Sequence, residues 1–322
     1  MNFLRGIYAF DYMGHKKVWF SISGAILLVC FASLLIRGSG NPLDGLRYGL
    51  EFKEGTRVSV AFVDPTDVAA VRAALAEAGF GDAQVQETSK VAGTELSGYQ
   101  IQTPTLSVEE QVKLKSTLEK FKIAAGSNND QAYVLMSVGP TFGRQVVTSS
   151  YRAGILALIL ILGYVSLRFE WKFALGAILA EFHDLLIVIG IYSLSGREVT
   201  TATVAAVLTI LGYSLYDTVI VFDRIRENAP RYPQGRYADM VNNSIWETLT
   251  RSINTTTMTL LPVVALLLFG GVTLKDFAFA LFVGVCSGAY SSIFVATPFV
   301  CWLKEREPGQ RRASARQDAK SK

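Results

Sequence analysis

The chain has 322 residues, 50% of them hydrophobic and only 18% charged, with a mean hydropathy of +0.32. Soluble domains carry about 25% charged residues, so this composition excludes a disordered chain, and 31 Lys and Arg against 27 Asp and Glu are too balanced for a nucleic-acid footprint. Cys30, Cys286 and Cys301 all lie in or beside apolar runs, which excludes a disulfide-stapled secreted module.

A bilayer core about 30 Å thick takes roughly 20 helical residues to cross. The first window that meets this is Val18–Ile36. It follows Arg5, Lys16 and Lys17 as a signal peptide would, but its length and the lack of a small-residue cleavage site predict a retained anchor behind an N-terminal arm of residues 1–17.

Residues 37–152 read as a soluble α+β domain. Val58, Val60 and Phe62 alternate with Arg57, Ser59 and Ala61, the period of a strand over Arg57–Val63. A helix is expected from Pro65 to the stop at Gly79, then short strands over Ala83–Thr88 and Leu96–Thr103. Ser107 and Glu110 have capping-box spacing ahead of a helix to about Ile123. Gln131–Val138 is the last strand, closed by Gly139-Pro140. The order βαββαβ is that of a ferredoxin-like unit.

Five further windows span a membrane: Ala153–Phe169, Phe173–Leu194, Thr201–Phe222, Thr255–Gly271 and Phe277–Leu303. Trp19, Tyr151, Trp171 and Trp302 lie near their ends, at headgroup level. The fold class is therefore a polytopic α-helical membrane protein of six transmembrane helices, with an extracytoplasmic α+β domain between helices one and two. Lys304 onward reads as a basic, disordered tail near anionic headgroups. The flanks on one side carry 17 Lys and Arg, against Arg197 and Lys275 on the other. By the positive-inside rule both termini are cytoplasmic.

Ionisable groups inside the spans are the informative residues, because Asp or Arg at mid-bilayer costs about 2.5–3.5 kcal/mol on insertion scales. The third span holds Glu181, His183 and Asp184, the last about 16 Å along the helix from Phe173. His183 and Asp184 point about 100° apart on a helix and are not expected to face one partner. Their role is either a packing hydrogen bond or a proton-linked one.

The fourth span holds Asp217, with Tyr213, Ser214 and Arg224 on or near its face. Arg251 at the start of the antiparallel fifth span is expected to reach it. An Asp that swaps an Arg partner for a proton is a minimal relay, and a static salt bridge between the helices is the alternative. Asp223, Arg224, Arg226, Glu227 and Asn228 read as an interfacial anchor. With His15 and His183 as the only histidines there is no metal-ligand cluster, and neither a P-loop nor a nucleophile motif is present. No enzyme activity and no cofactor is implied.

Tyr213-Ser214-Leu215-Tyr216-Asp217-Thr218-Val219-Ile220-Val221, running into Asp223-Arg224-Ile225-Arg226-Glu227-Asn228, resembles the fourth-helix signature of the SecD/SecF family of Sec translocase membrane subunits. His183-Asp184, Gly139-Pro140 with Gly143, and Arg251 match too, so the resemblance covers nearly the whole chain. It implies half of a resistance–nodulation–division type transporter, partnered by a SecD-like six-helix subunit. It further implies work beside the SecYEG channel, SecA and a YajC-like accessory on a translocating preprotein, driven by the proton-motive force in the cytoplasmic membrane.

The family's proton-transport roles fall on Asp217 and Arg251. Two positions depart from the family pattern. Glu54 stands where a Gly is usual after Glu51, and Glu181 stands where an apolar residue is usual. A non-transporting scaffold and a lipid or small-molecule exporter half are the competing readings.

Overall fold

The computed structural model describes residues 10–64, 66–88, 98–125, 132–232 and 236–307. It divides into two compact units, Tyr48–Arg152 and the remainder of the chain. Pro65, Leu96 and Gln131, which bound three of the expected elements, lie outside the described residues, as do residues 1–9 and 308–322.

After α1 (Lys16–Arg37) of the other unit, the first unit comprises β1 (Gly55–Val60), α2 (Val68–Glu77), β2 (Gln84–Thr88), β3 (Gly98–Thr103), α3 (Val108–Glu119) and β4 (Tyr133–Val138). The sheet order is β2-β3-β1-β4, antiparallel throughout. This is the βαββαβ arrangement expected from the strand and helix periods. Val58, Val60 and Ile101 point to one face and bury against Val71 and Leu75 of α2 and Leu114 and Leu118 of α3.

The capping box of α3 is formed. Ser107 Oγ accepts the Glu110 amide at 3.3 Å, and Glu110 Oε2 accepts the Ser107 amide at 2.8 Å. Before β1, Leu50 is buried in a turn closed by Phe52 N to Gly49 O (3.0 Å) and Lys53 N to Leu50 O (3.1 Å). Glu54 keeps an ordinary negative φ there, and the positive φ of +145° falls on Gly55. Glu54 is therefore unstrained, and the position that favours glycine is occupied by one.

The second unit holds the helix bundle; among the described residues six helices are long and apolar enough to cross a membrane. These are α1, α4 (Pro140–Arg168), α5 (Trp171–Ser195), α6 (Thr201–Asn228), α7 (Tyr237–Phe269) and the sixth span. The residues of α4 up to Arg152 count with the first unit. The sixth span comprises α8 (Val272–Ser291), a π-helical turn (Ser292–Ala296) and α9 (Thr297–Glu305).

α5, α6 and the sixth span form the centre. Phe173, Phe222, Ala177, Ala296 and Val300 pack at one end, and Val188, Tyr192, Ala206, Ile210 and Ala280 at the other. α6 and α8 approach closely because Gly284 and Gly288 face Ile210 and Ser214. α4 stays peripheral, with Ile155, Leu156, Ile159 and Leu160 exposed.

Candidate functional site

Two polar seams run through the bundle and share α6. The first joins α6 to the antiparallel α7. Tyr213 donates to Thr256 Oγ1 (3.2 Å), and Ser252 donates to Asp217 Oδ2 (2.7 Å). Further along, Arg224 Nε meets Glu247 (2.5 Å), and Asn228 Nδ2 donates to Ser244 Oγ (3.0 Å) and Glu247 (2.7 Å). Each rung follows from helical spacing, since residues that step by about 3.6 along one helix meet residues that step the opposite way along the other. Asp217 is only 2% exposed.

Arg251 does not meet Asp217. Its Nη2 donates to Tyr216 Oη at 2.8 Å, and its guanidinium lies 5.9 Å from the centre of the Tyr216 ring. Among the described residues there is no Asp217–Arg251 ion pair. Position 251 lies one residue short of the one level with Asp217, so the hydroxyl of Ser252 takes the place expected for the guanidinium. The stripe expected on the face of Asp217 also divides. Tyr213, Asp217 and Arg224 turn to α7, while Ser214 turns the other way, to α5.

The second seam joins α5, α6 and the sixth span around Asp184, which has no exposed surface. Its Oδ1 accepts from Ser287 (2.6 Å) and lies 3.1 Å from His183 Nδ1. Its Oδ2 accepts from Ser214 (2.6 Å) and Ser291 (2.7 Å). Each carboxyl oxygen therefore has two close polar neighbours.

Contrary to expectation, His183 and Asp184 face the same helix. His183 stacks on Tyr290, with ring centres 6.0 Å apart, while Asp184 meets Ser287 and Ser291. α8 is broad enough to fill the angle between the two side chains. One turn further toward Trp171, Thr218 Oγ1 and Ser292 Oγ are 2.8 Å apart. Glu181, 2% exposed, has no hydrogen-bond partner on either oxygen among the described residues.

The anchor residues at the end of α6 are tied to neighbouring elements. Arg224 also pairs with Glu227 (2.7 Å), Arg226 with Asp223 (3.2 Å), and Asp223 with Arg168 (3.6 Å). Arg226 also donates to the Arg168 carbonyl at 3.1 Å.

Sequence reasoning missed the serines. Ser287 and Ser291, like Ser214 and Thr218, stand four apart and so share a helix face, a signal that was present but weak beside the charged residues.

The protein-export membrane protein SecD/SecF C-terminal family matches residues 118–306. The Streptomyces coelicolor protein translocase subunit SecF is 37% identical over 94% of this chain and 79% of its own length. The Magnetococcus marinus SecF is 35% identical over 96% of both chains. The chain belongs to the SecD/SecF family.

As a family member it is a multi-pass subunit of the Sec protein translocase, a transport protein and not an enzyme. The crystal structure of the Thermus thermophilus SecDF, described as a translocon-associated membrane protein, superposes with a TM-score of 0.76 at 35% identity. The alignment covers 92% of this chain and 39% of that one. A SecD-type half is therefore implied as the partner of this SecF-type chain. In this family member the fourth-helix signature is the stretch of α6 that serves both seams at once, through Ser214 on one side and Asp217 on the other.

Proposed function

We propose that this SecF-type subunit, with a SecD-like six-helix partner, couples the proton-motive force to outward movement of preproteins, and that Asp217 carries the proton with Arg251 as its alternative counter-charge. The observation that carries this reading is the state of Asp217. A static salt bridge between α6 and α7 requires the carboxylate to be committed to the guanidinium. Instead Asp217 is buried against one neutral donor, Ser252, while Arg251 is held one residue away on Tyr216. A short rearrangement of either side chain exchanges a hydroxyl for a cation and shifts proton occupancy. One charge crossing 100 mV supplies about 2.3 kcal/mol, so a few protons per cycle suffice to bias a domain between positions.

The excess of Lys and Arg on one side supports cytoplasmic termini in the cytoplasmic membrane, with the α+β domain facing outward. On this reading the basic cytoplasmic segments meet anionic lipid. SecYEG, SecA and a YajC-like accessory stand beside the subunit, and the outward domain works on the emerging preprotein.

The test is export into inverted membrane vesicles with and without an imposed gradient, in Na⁺ and in K⁺. In Asp217→Asn the gradient-dependent part of export is lost in either salt. Unchanged gradient dependence in that variant refutes the relay and favours the scaffold. Gradient-driven efflux of a lipid or small molecule, with export unaffected, favours the exporter half.

A further inference from the structure

Glu181 is the one buried glutamate among the described residues, and it is the group that both seams leave out. It lies three residues before Asp184 on α5, about 4.5 Å along the axis and on nearly the same face. Asp184 is richly bonded: three serine hydroxyls donate to it at 2.6–2.7 Å, and His183 Nδ1 lies at 3.1 Å. Glu181 has the opposite surroundings, with no donor on either oxygen.

An ionised Glu181 would be a bare charge one turn from the Asp184 carboxyl. A buried charge without a partner is strongly disfavoured, and among the described residues no charged group pairs with Glu181. On α5 the ionisable neighbours are Asp184 and His183, and the imidazole turns away to Tyr290. α6 brings Asp217, which faces Ser252. The sixth span brings Tyr290, Cys286 and Cys301. Its charged groups stand at its two ends, Asp276 paired with Arg197 and Lys304 with Glu170. α1 has no charged residue between Lys17 and Arg37.

We propose that Glu181 is a proton-binding site of the bundle, distinct from Asp217, which holds its proton at neutral pH and releases it only when the polar seam beside it rearranges. The means of release lies alongside. Thr218 is four residues past Ser214 on the antiparallel α6, so the Thr218–Ser292 hydroxyl pair is close to level with Glu181. Ser292 begins the π-helical turn, and Thr297 Oγ1 donates to its carbonyl at 2.7 Å. π turns are points where helix hydrogen bonding is readily re-registered. Ser292 Oγ already donates to the Gly288 carbonyl at 2.9 Å, so Thr218 is the donor of the pair, and turning its hydroxyl from Ser292 onto Glu181 supplies a donor to the carboxylate. The proton then passes to water entering with the rearrangement, and Glu181 is left ionised.

This inference does not rest on the role given to Asp217, because its readout needs no export. The test is infrared difference spectroscopy of the full chain in phosphatidylethanolamine–phosphatidylglycerol vesicles, with ¹³C-glutamate label. Exposed glutamates ionise near pH 4.3, so a protonated-carboxyl band that persists at neutral pH and shifts with the glutamate label reports a buried glutamate. The expected result is that this band is present in the wild type, lost in Glu181→Gln and retained in Asp217→Asn. Absence of a label-sensitive band in the wild type at neutral pH overturns the proposal, as does its survival in Glu181→Gln. Loss of the wild-type band when Na⁺ replaces K⁺ at constant pH also overturns it, in favour of a Na⁺ site. If Glu181→Gln fails to insert, the wild-type labelling arm decides alone.

Discussion

The serine cage of Asp184 makes a quantitative prediction about cooperativity. Each carboxylate oxygen has two close neighbours: Ser287 and His183 on Oδ1, Ser214 and Ser291 on Oδ2. Hydrogen bonds to charged groups are worth about 1.5–3 kcal/mol in water-soluble proteins, whereas interhelical bonds in a membrane average about 0.6 and reach about 1.7. Ser291→Ala alone leaves Oδ2 with Ser214, so a loss of about 1 kcal/mol is expected, and the same for Ser214→Ala. Removing both strips that oxygen of every donor in a site with no exposed surface. The unsatisfied oxygen then adds about 1–3 kcal/mol. The double variant should exceed the sum of the singles by at least about 1 kcal/mol, measured as unfolding free energy of the purified chain in bicelles titrated with denaturing detergent. Pairing Ser291→Ala with Ser252→Ala, on the other seam, should be additive within about 0.5 kcal/mol. Additivity of Ser214→Ala with Ser291→Ala would refute the claim that the Asp184 carboxyl is held by its full set of serine donors.

Gly284→Ala places a methyl against Ile210 of α6 and should cost about 1–3 kcal/mol by overpacking, with partial rescue by Ile210→Val in the same detergent titration. In the α+β unit, Ser107→Ala removes the helix cap and should cost about 1 kcal/mol, read as faster amide exchange over residues 108–111 of the intact chain. The Ser107 amide and hydroxyl hold the Glu110 carboxyl below its ordinary pKa. Its contribution is therefore fully present above the unfolded-state value and is lost as pH falls through the lower folded-state value. Exchange at α3 should rise in acid in the wild type, and the acid dependence should shrink in Ser107→Ala. An equal acid response in both chains would refute the capping argument.

The spans were legible because crossing a membrane takes an uninterrupted apolar run, and every run found is a helix. Their limits were less legible where a helix is amphipathic. α7 begins at Tyr237, not Thr255. Its first half buries Met240, Val241, Ser244, Ile245, Thr248 and Ser252 on one stripe and turns Arg251 outward. α4 likewise starts at Pro140, a residue suited to the first helical turn. The α+β unit was legible because alternation and capping spacing are local signals. Asp184, Asp217 and Glu181 were found because charge in an apolar helix is conspicuous. Their partners were not, because a serine on a membrane helix reads as a small packing residue until the neighbouring helix is in place. The Arg251 expectation had a related cause. Sequence gives its depth, but a difference of one residue sends the guanidinium to Tyr216 and the adjacent hydroxyl to Asp217.

The placement of the two carboxylates on either side of α6 constrains how the bundle can move. Ser214 and Asp217 are three residues apart, about 4.5 Å along one rigid helix, and their hydrogen bonds run in different directions, to α5 and to α7. A rotation or slide of α6 that parts Asp217 from Ser252 also displaces Ser214 from Asp184. Thr218, on the same stretch, leaves Ser292 at the entrance to the π-helical turn. Close approach of Gly288 to Ser214 and of Gly284 to Ile210 prevents α6 from moving toward α8 without the sixth span yielding. The least costly response is therefore a change in the π turn, where the hydrogen-bond register is already shifted. If the relay proposed for Asp217 moves α6 as a body, the movement reaches the cage of Asp184 and the hydroxyl pair beside Glu181, whereas a side-chain deletion that leaves α6 in place stays on its own seam.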